Sequence, residues 1–189
     1  MKKLSIITAL LFSTFFYGQE GEKPRTKTLS VELAASLGGN IGLSYEDSPK
    51  QNKYFKGLTT TKVARIYYIG DNLESDSAFI DDIPGNGIGI SLGQRNYFNE
   101  TAKGFYFGGN FGTESIKYKE SKYNFEGTYT YITLFSPEIG YKFLIAKKIA
   151  VNFHAGTSWL IEYKGKGDID NKDFDNWIFR AGLSVGYAF

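Results

Sequence analysis

Residues 177–189 alternate without interruption. Trp177, Phe179, Ala181, Leu183, Val185, Tyr187 and Phe189 hold the odd positions, and Ile178, Arg180, Gly182, Ser184, Gly186 and Ala188 the even ones. Successive side chains of an extended chain point to opposite faces, so a period of two over this length specifies a strand with one bulky apolar face and one small or polar face. The pattern recurs upstream. Residues 149–163 set Ile149, Val151, Phe153, Trp159, Ile161 and Tyr163 against Asn152, His154, Gly156, Ser158 and Glu162, and residues 129–145 set Tyr129, Tyr131, Phe135, Ile139, Tyr141 and Phe143 against Thr130, Ser136, Glu138, Gly140 and Lys142. In 104–118, Phe105, Phe107 and Phe111 oppose Gly108, Asn110 and Gly112, but the alternation falters near Thr113, which predicts a bulge. Ile88, Ile90 and Leu92 against Gly89, Ser91 and Gly93 mark a further strand running to Phe98.

The connections alternate in length. Those after Phe98 and Ile145 are short, whereas 121–127 and 164–176 are long and polar, as in a bacterial barrel with short periplasmic turns and longer outer loops. Leu29, Val31, Leu33, Ala35, Leu37, Ile41, Leu43 and Tyr45 keep one phase across Gly38-Gly39-Asn40, which predicts a hairpin if the glycines turn the chain. Residues 57–69 form a strand with poorly distinguished faces. Counting back from a last strand that ends inside gives eight strands, with an oddly long inner connection at 47–56; one continuous strand over 29–45 would give seven, which a closed antiparallel barrel with both ends inside does not allow. The expected fold is an all-β, closed, up-and-down antiparallel transmembrane barrel over residues 28–189.

No later apolar run approaches the length of a helical membrane span, and 16 Phe, 14 Tyr and 22 Gly against 4 Pro favour strands over helices. The chain begins Met1-Lys2-Lys3, continues with an apolar stretch from Leu4 to Phe16, and reaches Tyr17-Gly18-Gln19-Glu20, the order of a secretory signal cut after Gly18. Residues 19–27 are then a short N-terminal segment. No cysteine follows, so a lipid-anchored form is excluded, and with none in the chain there are no disulfides. Losing residues 1–18 removes two of the 22 basic side chains and none of the 20 acidic ones, leaving 20 against 20; such balance does not point to nucleic acid.

Alternation alone also fits a soluble lipocalin-like carrier with its apolar face inward. Volume discriminates: an eight-stranded barrel has room for little more than side chains, so Phe, Tyr, Trp, Ile and Leu belong outside and Gly, Ser, Ala, Thr and paired charges inside. Rings also gather near both ends of the apolar stripe. Phe105, Phe107, Tyr141, Phe143, Tyr187 and Phe189 are expected at the inner rim, and Tyr129, Tyr131, Trp159, Tyr163 and Trp177 at the outer rim, as in the aromatic girdles of membrane barrels.

The terminus Leu183-Ser184-Val185-Gly186-Tyr187-Ala188-Phe189 resembles the C-terminal assembly signal of Gram-negative outer-membrane proteins, with Leu183, Val185, Tyr187 and Phe189 at its alternate positions. The stretches Ser136-Pro137-Glu138-Ile139-Gly140-Tyr141-Lys142-Phe143, Ser30-Val31-Glu32-Leu33 and Gly42-Leu43-Ser44-Tyr45-Glu46 resemble small outer-membrane barrels of the OmpX or OmpA-barrel type. The resemblance implies a cell outer-membrane location, contact with outer-membrane lipid and lipopolysaccharide, and handling by the barrel-assembly machinery. Pro137 departs from the ideal, since proline removes a ladder donor and marks a bulge or an edge.

Arg65, Arg95, Glu114, Glu138, Lys142, His154, Glu162 and Arg180 are expected to point inward, where charges of both signs must pair. The alternative is the selectivity lining of a narrow porin-like channel or small-solute-binding barrel. His154 has no second His or Cys with which to bind metal, and Ser158 lies about 13 Å further along an extended strand, so neither a cofactor nor catalysis is expected. The Asp168, Asp170, Asn171, Asp173, Asp175 loop fails the calcium-loop pattern at Lys172 and Asp173, and Gly85-Asn86-Gly87-Ile88-Gly89 precedes no helix that would hold a nucleotide. The expected function is that of a monomeric integral outer-membrane barrel with a structural, envelope-integrity or surface-interaction role. A lipid-modifying enzyme and a soluble carrier are the remaining alternatives.

Overall fold

The computed structural model describes residues 27–35, 40–47, 49–52, 54–70, 85–99, 101–120, 124–168 and 176–189. The expected signal and nearly all of the segment before the barrel lie outside these residues, as do Gly38-Gly39 and Asp170 to Asp175. The strands are β1 (Thr28–Ala35), β2 (Asn40–Glu46), the two-residue β3 (Lys50–Gln51), β4 (Thr59–Gly70), β5 (Gly85–Tyr97), β6 (Gly104–Glu120), β7 (Phe125–Ile145), β8 (Ile149–Gly167) and β9 (Trp177–Ala188).

Every neighbouring pair is antiparallel. Sequence neighbours pair except β2 and β3, β2 pairs instead with β4, and β1 pairs with β9 from Thr28↔Ala188 to Ala35↔Ala181, so β1, β2 and β4 to β9 close an eight-stranded up-and-down barrel. Closure leaves no unpaired edge around the wall. The two ends of the described chain meet: Lys27 N donates to Phe189 O and Phe189 N to Lys27 O, at 3.0 and 2.9 Å. This end also carries the short turns. Asn99 accepts from the Thr101 amide at 3.0 Å, while Ala146 and Lys147 both adopt positive φ beneath a 3.1 Å Lys148 N to Ile145 O bond, the arrangement of a type I′ hairpin turn. The opposite end is the loop end.

The long inner connection is shorter than it looked. Asp47 N bonds Lys62 O, Lys50 and Gln51 pair with Thr60 and Thr59, and Asn52 N bonds Leu58 O, so the chain keeps pairing with β4 beyond β2 and turns within 54–57. Ala34 pairs with Asn40, so the chain reverses between them, as expected around the glycine pair.

Strand lengths are unequal. β9 has 12 residues, whereas β6, β7 and β8 have 17, 21 and 19. At about 3.3 Å per residue and a tilt near 40°, β9 rises about 30 Å along the axis and β7 about 50 Å. Therefore β6 to β8 continue well beyond their shorter neighbours at the loop end.

The large apolar side chains of the turn-end half face outward. Leu29, Val31, Leu33, Leu43, Ile66, Ile90, Leu92, Phe105, Ile139, Phe153, Phe179 and Val185 are all exposed, from 42% to 69%. Rings pair across strands on this surface, Phe105 against Tyr141 edge-on at 4.7 Å and Phe143 against Phe153 at 6.1 Å. Trp159 and Trp177 stack at 6.1 Å toward the loop end.

Two expectations need correction. Tyr129 and Tyr131 are not outer-rim residues: both are buried inside, at 4% and 3% exposure. The cause is a bulge in β7, where Leu134 and Phe135 both face outward opposite Phe111, so residues before the bulge swap faces relative to those after it. The irregularity anticipated near Thr113 is this one, and the extra residue lies on β7 rather than β6. Along β6 itself the even positions stay inside throughout. What reverses is their chemistry: beyond Phe111, Ile116 and Tyr118 face in, while Lys117 and Lys119 face out.

Candidate functional site: the lumen

Three tiers fill the barrel. Toward the turn end, Tyr97 and Tyr106 pack at 5.1 Å between centroids, with Ala102 beside them. Above them Glu46 is saturated. Its Oε1 accepts from Thr61 Oγ1 and Tyr97 OH, both at 2.8 Å, and its Oε2 accepts from Arg95 Nη1 and Lys142 Nζ, both at 3.0 Å. The Arg95 guanidinium lies over the Tyr106 ring, 4.7 Å from its centroid.

The middle tier centres on Glu138. Arg95 Nε donates to Oε1 at 2.8 Å, Arg65 Nη2 reaches both oxygens at 2.9 and 3.2 Å, and Asn110 Nδ2 donates to Oε2 at 3.1 Å. Arg65 Nε bonds Glu32 Oε2 at 3.1 Å, and His154 Nε2 stands 3.5 Å from Glu32 Oε1. Three carboxylates thus meet two guanidinium groups and one lysine in one connected network. Buried charges are tolerable only when paired and hydrogen-bonded in this way. A separate pair lies nearer the loop end, with Arg180 Nη2 3.5 Å from Glu114 Oε2 and Tyr67 OH donating to the same oxygen at 3.1 Å.

The third tier is apolar. Ile69, Ile116, Tyr118, Tyr129, Tyr131, Leu160 and Ile178 form one buried cluster, with Tyr118 and Tyr129 stacked at 5.6 Å. Between the tiers, Glu32, Arg65, Tyr67, Glu138, His154 and Arg180 line a small cavity with room for about three waters.

Seven of the eight anticipated lumen residues join these networks. Glu162 does not: it is half-buried at the loop-end mouth and has no hydrogen bond or ion pair among the described residues. Glu32 and Glu46 escaped selection, although both lie in the even phase of Leu29 to Tyr45, which is the signal that would have found them. Ser158 Oγ lies 2.7 Å from Ser136 Oγ, each a buried hydroxyl satisfied by the other. Gly85, Gly87 and Gly89 turn their small face to the lumen within β5, as expected. No group of His, Cys, Asp and Glu suited to a metal ion occurs among the described residues.

Glycine makes room for the rings. A Cβ on Gly140 would sit 2.4 Å from the Tyr106 ring and 2.5 Å from Phe153 O, so Gly140→Ala is expected to destabilise the barrel by about 1–3 kcal/mol through overpacking. Urea titration of the refolded protein checks this; an unchanged midpoint would mean that Tyr106 is not held where described.

No family model and no curated protein matches the sequence. Among solved structures the fold is similar to that of a major outer membrane protein from Thermus thermophilus, with a TM-score of 0.55, 11% identity, and coverage of 86% of this chain and 99% of that one. At that identity the likeness speaks to architecture: this chain is a closed eight-stranded antiparallel barrel of a kind found in an outer membrane protein.

Proposed function

We propose that this chain is an integral outer-membrane barrel with a closed lumen, exported by a cleaved signal, with a structural, envelope-integrity or surface-interaction role at its loop end. One observation carries the reading: a continuous apolar belt faces outward while the charged residues are paired inside. In water that belt would be an exposed apolar surface far larger than soluble monomers carry. In a bilayer it matches the apolar band of about 25 Å typical of membrane barrels. The turn end, where Lys27 meets Phe189, then faces the periplasm, and Leu183, Val185, Tyr187 and Phe189 supply the strand that the assembly machinery reads.

The closed lumen distinguishes this reading from a channel. What supports a closed lumen is the burial of Tyr97 and Tyr106 toward the turn end and of the tyrosine and isoleucine cluster toward the loop end, with a small cavity between them. In planar lipid bilayers the protein is expected to give no defined conductance steps. It is also expected to migrate differently on gels with and without boiling. Reproducible unitary steps would overturn the closed-lumen reading in favour of the narrow channel, and absence of the heat-dependent shift after incubation with vesicles would overturn membrane insertion.

A further inference from the structure

The outward surface of β6 to β8 changes character just beyond the stacked Trp159 and Trp177. Here the register places Lys117, Thr128 and Lys166 in one cross-strand row, and Ser115, Thr130 and Lys164 in the next row toward the barrel. All three lysines are exposed, and none has an ion pair or hydrogen bond among the described residues. Adjacent strands lie about 4.8 Å apart and alternate residues about 7 Å apart, so the three Cα atoms span a triangle of about 7–12 Å. Flexible ammonium side chains can converge from that spacing on one phosphate, and three threonine and serine hydroxyls lie among them. Among the described residues, the nearby acids belong to the next row away from the barrel. Lys119 pairs in register with Glu126, and the Glu126 amide donates to Asp168 Oδ2 at 2.9 Å.

We infer that Lys117, Lys164 and Lys166 form a binding site for the phosphomonoester groups of an outer-leaflet glycolipid of the lipid A type. The occupant follows from position and charge. Tyr163, 74% exposed, immediately precedes Lys164, so the cations continue directly from the aromatic end of the apolar belt, at the depth where acyl chains give way to headgroups. Cations placed there meet anionic headgroups rather than hydrocarbon. Several hydroxyls beside three ammonium groups suit a phosphorylated sugar better than a phosphodiester. The inference rests on the loop end facing outward, as in the function proposed above.

The test uses the full barrel refolded into phosphatidylcholine vesicles containing either bisphosphorylated lipid A or phosphatidylglycerol at equal charge. Retained lipid is read by native mass spectrometry and binding by the fluorescence of Trp159 and Trp177, the chain's 2 tryptophans. Wild-type protein is expected to retain lipid A at least tenfold over phosphatidylglycerol. K117Q/K164Q/K166Q should lose that preference by on the order of tenfold or more, the corresponding triple arginine variant should keep it, and K50Q, at the turn end, should leave it unchanged. Equal retention of the two lipids, or undiminished lipid A retention by the triple glutamine variant, overturns the site while leaving membrane insertion intact. Failure of the wild-type chain to insert would instead sink the reading on which the site rests.

Discussion

Glu138→Leu is expected to destabilise the folded barrel by about 3–5 kcal/mol, the cost of leaving buried charges without their counter-ion. The carboxylate receives hydrogen bonds from Arg65, Arg95 and Asn110, all on other strands. Arg65 would retain Glu32 and Arg95 would retain Glu46, but each loses a partner in a region with room for only about three waters. Glu138→Gln, which preserves shape and half of the acceptor capacity, should cost less. Glu162→Gln provides the contrast: half-buried and without a partner among the described residues, it should stay within about 0.5 kcal/mol of wild type. Urea unfolding in phospholipid vesicles measures all three. Equal midpoints for Glu138→Leu and Glu162→Gln would show that the lumen network contributes nothing to stability.

Ile139→Arg tests the outer face. Ile139 is 67% exposed and lies midway along the outward stripe of β7 between Leu134 and Ile145. If that stripe meets hydrocarbon, an arginine there costs about 2–4 kcal/mol, whereas Thr130→Arg, outward on the same strand beyond the bulge, costs about 0–1 kcal/mol. A soluble barrel would show the opposite, because replacing an exposed isoleucine by arginine in water removes an apolar surface. A silent Ile139→Arg in vesicles would therefore show that the belt does not face lipid.

The fold was legible where one rule held along a whole strand. β9 obeys a single alternation from Trp177 to Ala188, so its outward and inward residues could be assigned from sequence, and the position of Arg180 with them. β7 obeys two. Extrapolating the phase of Tyr141 and Phe143 back through Phe135 put Tyr129 and Tyr131 on the wrong face, because one extra residue at Leu134–Phe135 shifts everything before it. The rule that large rings go outside was also too broad. Tyr67, Tyr97, Tyr106, Tyr118, Tyr129 and Tyr131 all occupy the interior, where glycines such as Gly140 and Gly127 on neighbouring strands make space for them. Glu32 and Glu46 stand in phase with Ser30 and Ser44 and were readable from the alternation of Leu29 to Tyr45. Which acid meets which base was not legible, since Arg65 and Glu138 lie 73 positions apart and meet only across the barrel interior.

The reversal of polarity along β6 has a further consequence. Past Glu114 the interior turns apolar while Lys117, Lys119, Lys164 and Lys166 stand outside, the arrangement of a water-soluble protein, so the collar formed by β6 to β8 suits water better than lipid. The hydrogen bonds that hold Glu46 and Glu138 come from side chains of the strands themselves, so the wall carries its charged interior within its own staves. Drift on the outer face of the collar therefore answers to solubility in water, while drift on the belt beneath it answers to hydrocarbon.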